Sequence, residues 1–387
     1  MSTLPSIFVG AAPSDARTLV NTGTIDYSKT KSVSIGLNYL SPYLTYSSEF
    51  QPDDVLRQDF TQFKTDGIEV IILSLYWYRL EGASRGSYSG GNSSCTYFGD
   101  RFLDEVKRTI QIANESGLKV LIAFHTLWGS DDSQWCTPEY VIDPITKSHI
   151  GLAIVRSDDM RRAFIDMFTH TVQYVAETPG IWAWDVLSEP WYWGRTPNEH
   201  DFVTDNGKTQ EENFITLFQQ LSNIVKTLDG RLITISFCST NTYSGSDGLP
   251  HIQNIFAEDW GWDERIFNAV DFVSFNAYLP ENIELEKAWQ DFVTSNIINC
   301  TERNKQVWIT EFGSRLTNET EQAHSYQETL SFFATLPISG CIAWQWTHAN
   351  LPIGYADSET ASPYNIFSDN EQGIGKLAYQ TLVHMTW

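Results

Sequence analysis

The chain has 387 residues, enough for two or three average domains or for one α/β barrel with insertions. Its 42% hydrophobic content supports a large core and argues against disorder. With 25 Lys and Arg against 48 Asp and Glu, the formal charge of −23 repels nucleic acid and anionic lipid, so neither is an expected partner. No apolar run reaches the length of a membrane span.

Residues 1–32 carry no clear period and read as an arm outside the main repeat of elements. Their start, MSTLPSIFVGAAPSDAR, lacks a basic segment followed by an apolar one, so no signal peptide is read. The compartment stays open: extracellular if a leader has been removed, cytoplasmic otherwise. The first strand-like run is VSIGLNYL (33–40), followed by the amphipathic DDVLRQDFTQFKTDG (53–67), which starts on Asp and stops at Gly as helices do. The same alternation continues with VIILSLYW (70–77), DRFLDEVKRTIQIANESG (100–117), KVLIAFHTL (119–127) and SDDMRRAFIDMFTHTVQYVAE (157–177). Next come IWAWDVLSE (181–189), EENFITLFQQLSNIVKTLDG (211–230), LITISFCST (232–240) and the short DERIFNAV (263–270). The last third adds FVSFNAYLP (272–280), ELEKAWQDFVTSNIINCTERN (284–304), QVWITEFGS (306–314), ETEQAHSYQETLSFFATL (319–336), GCIAWQWTH (340–348) and IGKLAYQTLVHM (374–385).

Each strand-like run is nearly continuously apolar, as a parallel strand buried on both faces must be. Eight such runs alternating with helices predict an α/β fold of the (β/α)8 TIM-barrel type over residues 33–387, with residues 1–32 packing on it. The doubly wound open sheet fits less well, because no Gly-rich phosphate loop follows any run. The longest connections, 78–99, 128–156 and 190–210, follow runs two, three and four, and so lie on the face where barrel active sites sit.

The polar and aromatic residues that end the runs converge on that face. They are Asn38 and Tyr39, Tyr76 and Trp77, His125 with Trp128, Glu189, Asn276 and Tyr278, Glu311, then Trp344 and Trp346. Glu189 and Glu311 end the fourth and seventh runs, on opposite sides of the barrel mouth. Paired carboxylates flanking a sugar bond are the machinery of glycoside hydrolysis: one is protonated to release the leaving oxygen, the other is ionised to attack. Their surroundings must therefore push their pKa values apart. Trp rings around Glu189 would raise its pKa by desolvation, and Arg or Tyr donors would keep Glu311 ionised.

With WDVLSEP (184–190) and WITEFG (308–313) in view, the chain resembles clan A of the glycoside hydrolases, and glycoside hydrolase family 5 most closely. That family ends its fourth strand in Asn-Glu-Pro and its seventh in Glu, often as TEFG. GIEVIILSLYW (67–77) and GLKVLIAFH (117–125) resemble the clan's second and third strand segments. The likeness covers residues 33–348. It implies that Glu189 is the acid/base, that Glu311 is the nucleophile, and that the reaction retains configuration, which needs the two carboxyls about 5–5.5 Å apart. The sequence departs from the family at three places. Ser188 stands where the family has an Asn that holds the sugar 2-hydroxyl. Ile72 stands where it has a strand-two Arg, with Arg79 and Arg315 as candidate replacements. Asn276-Ala277-Tyr278 stands for His-x-Tyr, a pattern closer to families 1 and 2 of the clan.

Indole rings stack on the apolar faces of sugars. Trp77, Trp128, Trp135, Trp191, Trp193, Trp260, Trp262 and Trp346 end or follow strands on the proposed face, whereas Trp182, Trp184 and Trp308 lie inside strands and read as core. Trp344 or Trp346 resembles the clan's platform under the reacting sugar, and the family pattern favours Trp344. The substrate-binding set is thus Asn38, Trp77, His125, Trp128, Ser188, Trp191, Asn276, Tyr278, Trp344 and Trp346. No second His lies at ligand spacing from His125 and no CxxC is present, so no metal and no cofactor are expected. Cys238 and Cys341 read as buried free thiols, and Cys95 and Cys136 as a pair that can bridge in an oxidising compartment. The expected activity is a β-glycoside hydrolase acting as a monomer on glucan- or mannan-type chains. The alternatives are a silent carbohydrate-binding barrel and a transglycosylase using the same two Glu residues.

Overall fold

Every one of the eight apolar runs forms a strand, and the strands close on each other. The computed structural model describes residues 33–39, 52–76, 100–125, 154–155, 158–190, 206–244, 249–254, 263–314, 316, 318–346 and 377–385. Their order is β1 (Ser34–Tyr39), α1 (Asp53–Thr65), β2 (Val70–Tyr76), α2 (Asp100–Glu115), β3 (Lys119–His125), α3 (Asp158–Val175), β4 (Ile181–Ser188), α4 (Gln210–Leu228) and β5 (Leu232–Cys238). Then come β6 (Asn241–Ser244), β7 (Pro250–Gln253), α5 (Glu264–Phe267), β8 (Val273–Asn276), α6 (Ile283–Glu302), β9 (Val307–Phe312), α7 (Glu319–Phe333), β10 (Gly340–Trp346) and α8 (Leu377–His384). The closed parallel barrel runs β1-β10-β9-β8-β5-β4-β3-β2, so β8, β9 and β10 are its sixth, seventh and eighth strands. β6 and β7 form an antiparallel hairpin in the connection after β5. It is tied to α6 by reciprocal amide bonds between Asn254 and Asn296, at 2.9 and 3.3 Å.

Alternation sends one half of each strand outward and the other half into the lumen. Outward residues such as Leu73, Phe124, Trp184, Phe237 and Phe275 share one core with helix residues such as Phe63, Val106, Phe168 and Leu221. Trp184 is anchored there by its indole N–H, which donates to Asp229 at 2.6 Å. Inward residues at the lower end of the barrel form a second apolar cluster of Val70, Ile72, Leu121, Ala123, Ala183, Phe272, Trp308 and Ile342, with Trp182 and Leu232 against it. Trp182 lies 5.2 Å from Phe272 and 4.6 Å from Trp308, ring centre to ring centre. The Trp308 ring fits only because Gly340 faces it: a Cβ there would come within 2.2 Å of the indole. Ile72 belongs to this plug, so the family's strand-two Arg position is filled by core.

Two bulges re-aim side chains at the barrel mouth. Asp185 pairs with Ala123 and Thr234, whereas Ser188 pairs with His125 and Ser236, so β4 takes three steps where each neighbour takes two. On β9, Ile309 pairs with Phe275 but Glu311 pairs with Asn276, so Thr310 is the extra residue. A bulge is a common way to turn one more side chain toward a site. Helices begin on this same face with side-chain caps. Thr209 and Glu212 make a capping box, and Asn282 and Asn318 cap α6 and α7.

Candidate active site

Glu189 leaves β4 in a left-handed backbone conformation, with φ of 51°. For a non-glycine residue followed by proline this is a strained position, of order 1–3 kcal/mol. The surrounding structure holds it: the Glu189 N–H donates to the Ser236 carbonyl at 2.8 Å. The turn delivers the carboxyl into the mouth, where two donors meet at one oxygen. Asn276 Nδ2 donates to Glu189 Oε1 at 2.8 Å and the Cys238 thiol donates to the same atom at 3.0 Å. Oε1 is thereby occupied as an acceptor, which leaves Oε2 to carry a proton. Burial pushes the Glu189 pKa above the ordinary carboxylate value, against the pull of the Cys238 and Asn276 bonds.

Glu311 is 6% exposed at the end of β9. Its Oε2 accepts the Tyr278 phenol at 2.8 Å, and its carbonyl accepts the Ala277 N–H at 2.8 Å. A phenol donor favours the ionised carboxylate. Asn276 and Tyr278 are two residues apart, and one holds Glu189 while the other holds Glu311. A single stretch of backbone at the end of β8 therefore sets both carboxyls, which brings them to one mouth in different surroundings. A groove of about 380 Å3 opens beside Tyr278, walled by Leu279, Pro280, Gly313, Ser314 and Leu316.

Of the residues expected from sequence, Ser188, Glu189, Asn276, Tyr278, Glu311 and Trp344 have described side chains. Ser188 is buried and turns inward with Ser236. Tyr278, expected among the substrate-binding residues, donates its hydroxyl to Glu311. Trp344 is 7% exposed, and its carbonyl accepts the Tyr326 hydroxyl at 3.1 Å. Unbroken alternation would put Trp344 and Trp346 on one face, but the register shifts between Ala343 and Trp346. Asn38, His125 and Trp346 are placed in β1, β3 and β10 by their backbones only. Trp77, Trp128, Trp135, Trp191, Trp193, Trp260 and Trp262, together with Arg79, Arg315, Cys95, Cys136 and the arm 1–32, lie outside the described residues. Sequence reasoning missed Cys238 as a partner of Glu189, reading it only as a buried thiol. It also passed over Asp185, although a charged residue inside an apolar strand was a visible signal. Among the described residues no group of three His, Cys, Asp or Glu could hold a metal, and no helix is long and apolar enough to cross a membrane.

The family model described as cellulase (glycosyl hydrolase family 5) matches residues 42–350. No curated protein matches the chain. Among solved structures, a GH5_18 protein from Bifidobacterium longum subsp. infantis superposes with a TM-score of 0.62 at 12% identity, over 91% of this chain and 77% of the other. The endo-β-1,4-mannanase from Thermotoga petrophila gives a TM-score of 0.60 at 14% identity, over 92% and 76%. A GH5_18 protein from Streptomyces cattleya, in complex with Manβ1-4GlcNAc, gives 0.62 at 14%, over 91% and 79%. At these identities the structural likeness speaks for the fold.

Proposed function

The chain belongs to glycosyl hydrolase family 5 and is a glycoside hydrolase, and from that premise we propose that it is a retaining enzyme for β-linked glucan- or mannan-type chains, with Glu189 as acid/base and Glu311 as nucleophile. The observation that carries the assignment of roles is the contrast between the two carboxyls at the end of β8. Glu189 is pushed toward its protonated form by burial, while Glu311 accepts a phenol.

In the first step a Glu311 oxygen bonds to the anomeric carbon as the bond from that carbon to the leaving oxygen breaks. The Glu189 proton passes to the leaving oxygen, so the departing sugar leaves as an alcohol. In the second step Glu189, now ionised, takes a proton from water. The water oxygen bonds to the anomeric carbon and the Glu311 ester breaks, which restores both carboxyls. Two inversions give net retention. Tyr278 stabilises Glu311 as an anion in the free enzyme, and its hydrogen bond can follow the Glu311 oxygen as the ester forms and breaks. Ser188 is a shorter side chain than the family's Asn, so its contact with the 2-hydroxyl is reshaped.

The substrate class is supported by the family's description as cellulase, by the mannanase among the structural neighbours and by the neighbour that holds Manβ1-4GlcNAc. The test is to assay the purified chain on aryl β-glucosides, aryl β-mannosides and soluble β-glucans and β-mannans, following the first-formed product by proton NMR. A β-anomer as first product and an inert Glu311→Ala variant are expected. An α-anomer as first product overturns retention, and inertness of the wild type on all of these substrates overturns the substrate class.

A further inference from the structure

The inward side chains of β5 climb the lumen as Thr234, Ser236 and Cys238, two hydroxyls and then a thiol. Ser236 pairs with Ser274 of β8 and Cys238 with Asn276, and the two hydroxyls of the first pair lie 2.9 Å apart. The second pair reaches the mouth. Cys238 Sγ donates to Glu189 Oε1 at 3.0 Å, and Asn276 Nδ2 donates to the same oxygen at 2.8 Å. β5 also holds the Glu189 backbone, whose N–H donates to the Ser236 carbonyl at 2.8 Å. Cys238 is a free thiol and is 9% exposed.

We propose that Cys238 is a positioning residue for Glu189: with the Asn276 amide, its thiol fixes Oε1 so that Oε2 faces the glycosidic oxygen, and it holds the ionised carboxylate less firmly than a hydroxyl would. The argument is one of direction and of donor strength. Two donors that reach one oxygen from adjacent strands fix the turn of the carboxyl, whereas one donor leaves it freer to rotate. Every donor to a carboxylate also favours its ionised form, and a general acid must keep its proton until the substrate takes it. A thiol is a weak donor. It has the shape of the hydroxymethyl group that Ser236 supplies one rung below, and sulfur stands at the rung that touches the acid. Cys238 therefore orients the carboxyl with little loss of its hold on the proton. Once the leaving group has departed, the same bond steadies the ionised Glu189 while it takes a proton from water.

The surroundings of Glu189 let this contact act. Among the described residues, the titratable groups on the elements around it are Asp185 on β4, Cys238 on β5, Tyr278 just after β8 with its phenol on Glu311, and Glu311 itself on β9. β3 ends in His125, the backbone partner of Ser188. Asp185 and Glu311 are carboxyls, so charge on either opposes ionisation of Glu189. Burial is the largest influence on Glu189 and raises its pKa, and the bonds from Cys238 and Asn276 oppose that rise.

The inference rests on Glu189 being the general acid, and a cycle of variants separates the two ideas. The variants are Cys238→Ser, Cys238→Ala, Glu189→Gln, and Glu189→Gln combined with Cys238→Ala. The probes are 4-methoxyphenyl and 2,4-dinitrophenyl β-glucosides and β-mannosides, read as kcat/KM against pH; the first leaving group needs a proton, the second does not. Cys238→Ala is expected to lose about three- to tenfold on the methoxyphenyl substrates, the worth of one modest hydrogen bond, and to change little on the dinitrophenyl ones. The basic limb reports the Glu189 proton, and in Cys238→Ala it should move to higher pH, because a donor to the ionised form is gone. In Cys238→Ser a hydroxyl takes over the contact now made at 3.0 Å, and the basic limb should move to lower pH. Each shift is expected to be about 0.5–1 pH unit. Adding Cys238→Ala to Glu189→Gln should lower activity no further. If Cys238→Ala fails to fold, Cys238→Ser carries the pH test. If the wild type is inert on these glycosides, the same shifts are read from the Glu189 carboxyl itself, by carbon NMR titration of chain labelled with 13C at glutamate and assigned against Glu189→Gln. Coincident titrations in wild type, Cys238→Ser and Cys238→Ala, equal losses on both leaving groups, or a further loss in the combined variant overturns the proposal. A Glu189→Gln variant with full activity on the methoxyphenyl substrates overturns the acid/base reading itself.

Discussion

The lower and upper halves of the barrel lumen are built on opposite principles. Below, Trp182, Phe272, Trp308, Ile72 and Ile342 fill the space with apolar volume, and the fit is close enough that Gly340 cannot carry a side chain. Above, Thr234, Ser236, Ser274, Thr310 and Asn276 fill it with hydrogen bonds that end on Glu189, and Asp185 accepts the Ser236 N–H beside them. The lower half needs only shape. The upper half needs each donor to meet an acceptor, since an unpaired buried polar group costs about 1–3 kcal/mol. The difference teaches that the plug is a matter of packing and stability, whereas the polar layer ends in an amide that donates to the Glu189 carboxyl.

Substitutions in the two halves should therefore fail differently. The largest effect is expected at Glu311: Glu311→Ala should lower kcat by about 10⁴-fold or more, while thermal unfolding stays close to wild type. Glu189→Gln comes next, with a loss of about 10²–10⁴-fold on substrates with poor leaving groups and little on activated ones. The sign of its pH dependence follows from burial. The Glu189 pKa is raised, so the protonated acid persists above the ordinary carboxylate range, and kcat/KM is lost as pH rises through that raised pKa. Trp308→Ala, in the plug, should cost about 3–5 kcal/mol in denaturant unfolding yet leave the shape of the pH profile unchanged. A shifted profile there would mean that the two halves are coupled, and the comparison would break. The smallest effect is expected for Tyr278→Phe. Loss of a hydrogen bond to a charged group is worth about 1.5–3 kcal/mol, or roughly ten- to a hundredfold in kcat/KM.

The lower half was far more legible in the sequence than the upper. Continuous apolar runs announce strands buried on both faces, and all eight barrel strands fall inside the runs read from sequence. Trp182 and Trp308 read as core for the same reason. Glu189 and Glu311 were legible because a carboxylate at the end of an apolar strand is costly unless used. What joins them was not. Cys238 and Asn276 meet Glu189 across 49 and 87 residues of sequence, through register that no local pattern encodes. The bulges that turn Thr310 inward beside Glu311, and Asp185 and Ser188 both toward the lumen, leave no compositional mark. A Tyr or Arg donor to Glu311 was expected from the sequence, but that the donor is Tyr278, 33 residues earlier on the neighbouring strand end, was not legible. The hairpin β6–β7 was also missed: NTYSGSDGLPHIQ (241–253) has turn residues and no sustained alternation of apolar positions.

The most direct test of the account is to trap the glycosyl-enzyme. A 2,4-dinitrophenyl 2-deoxy-2-fluoro-β-glycoside, as glucoside and as mannoside, forms the ester quickly and hydrolyses it slowly, so the labelled peptide can be read by mass spectrometry. The account predicts one sugar per chain, on Glu311 within β9, and none in Glu311→Ala. A label on Glu189, or stoichiometric labelling that survives in Glu311→Ala, would contradict it.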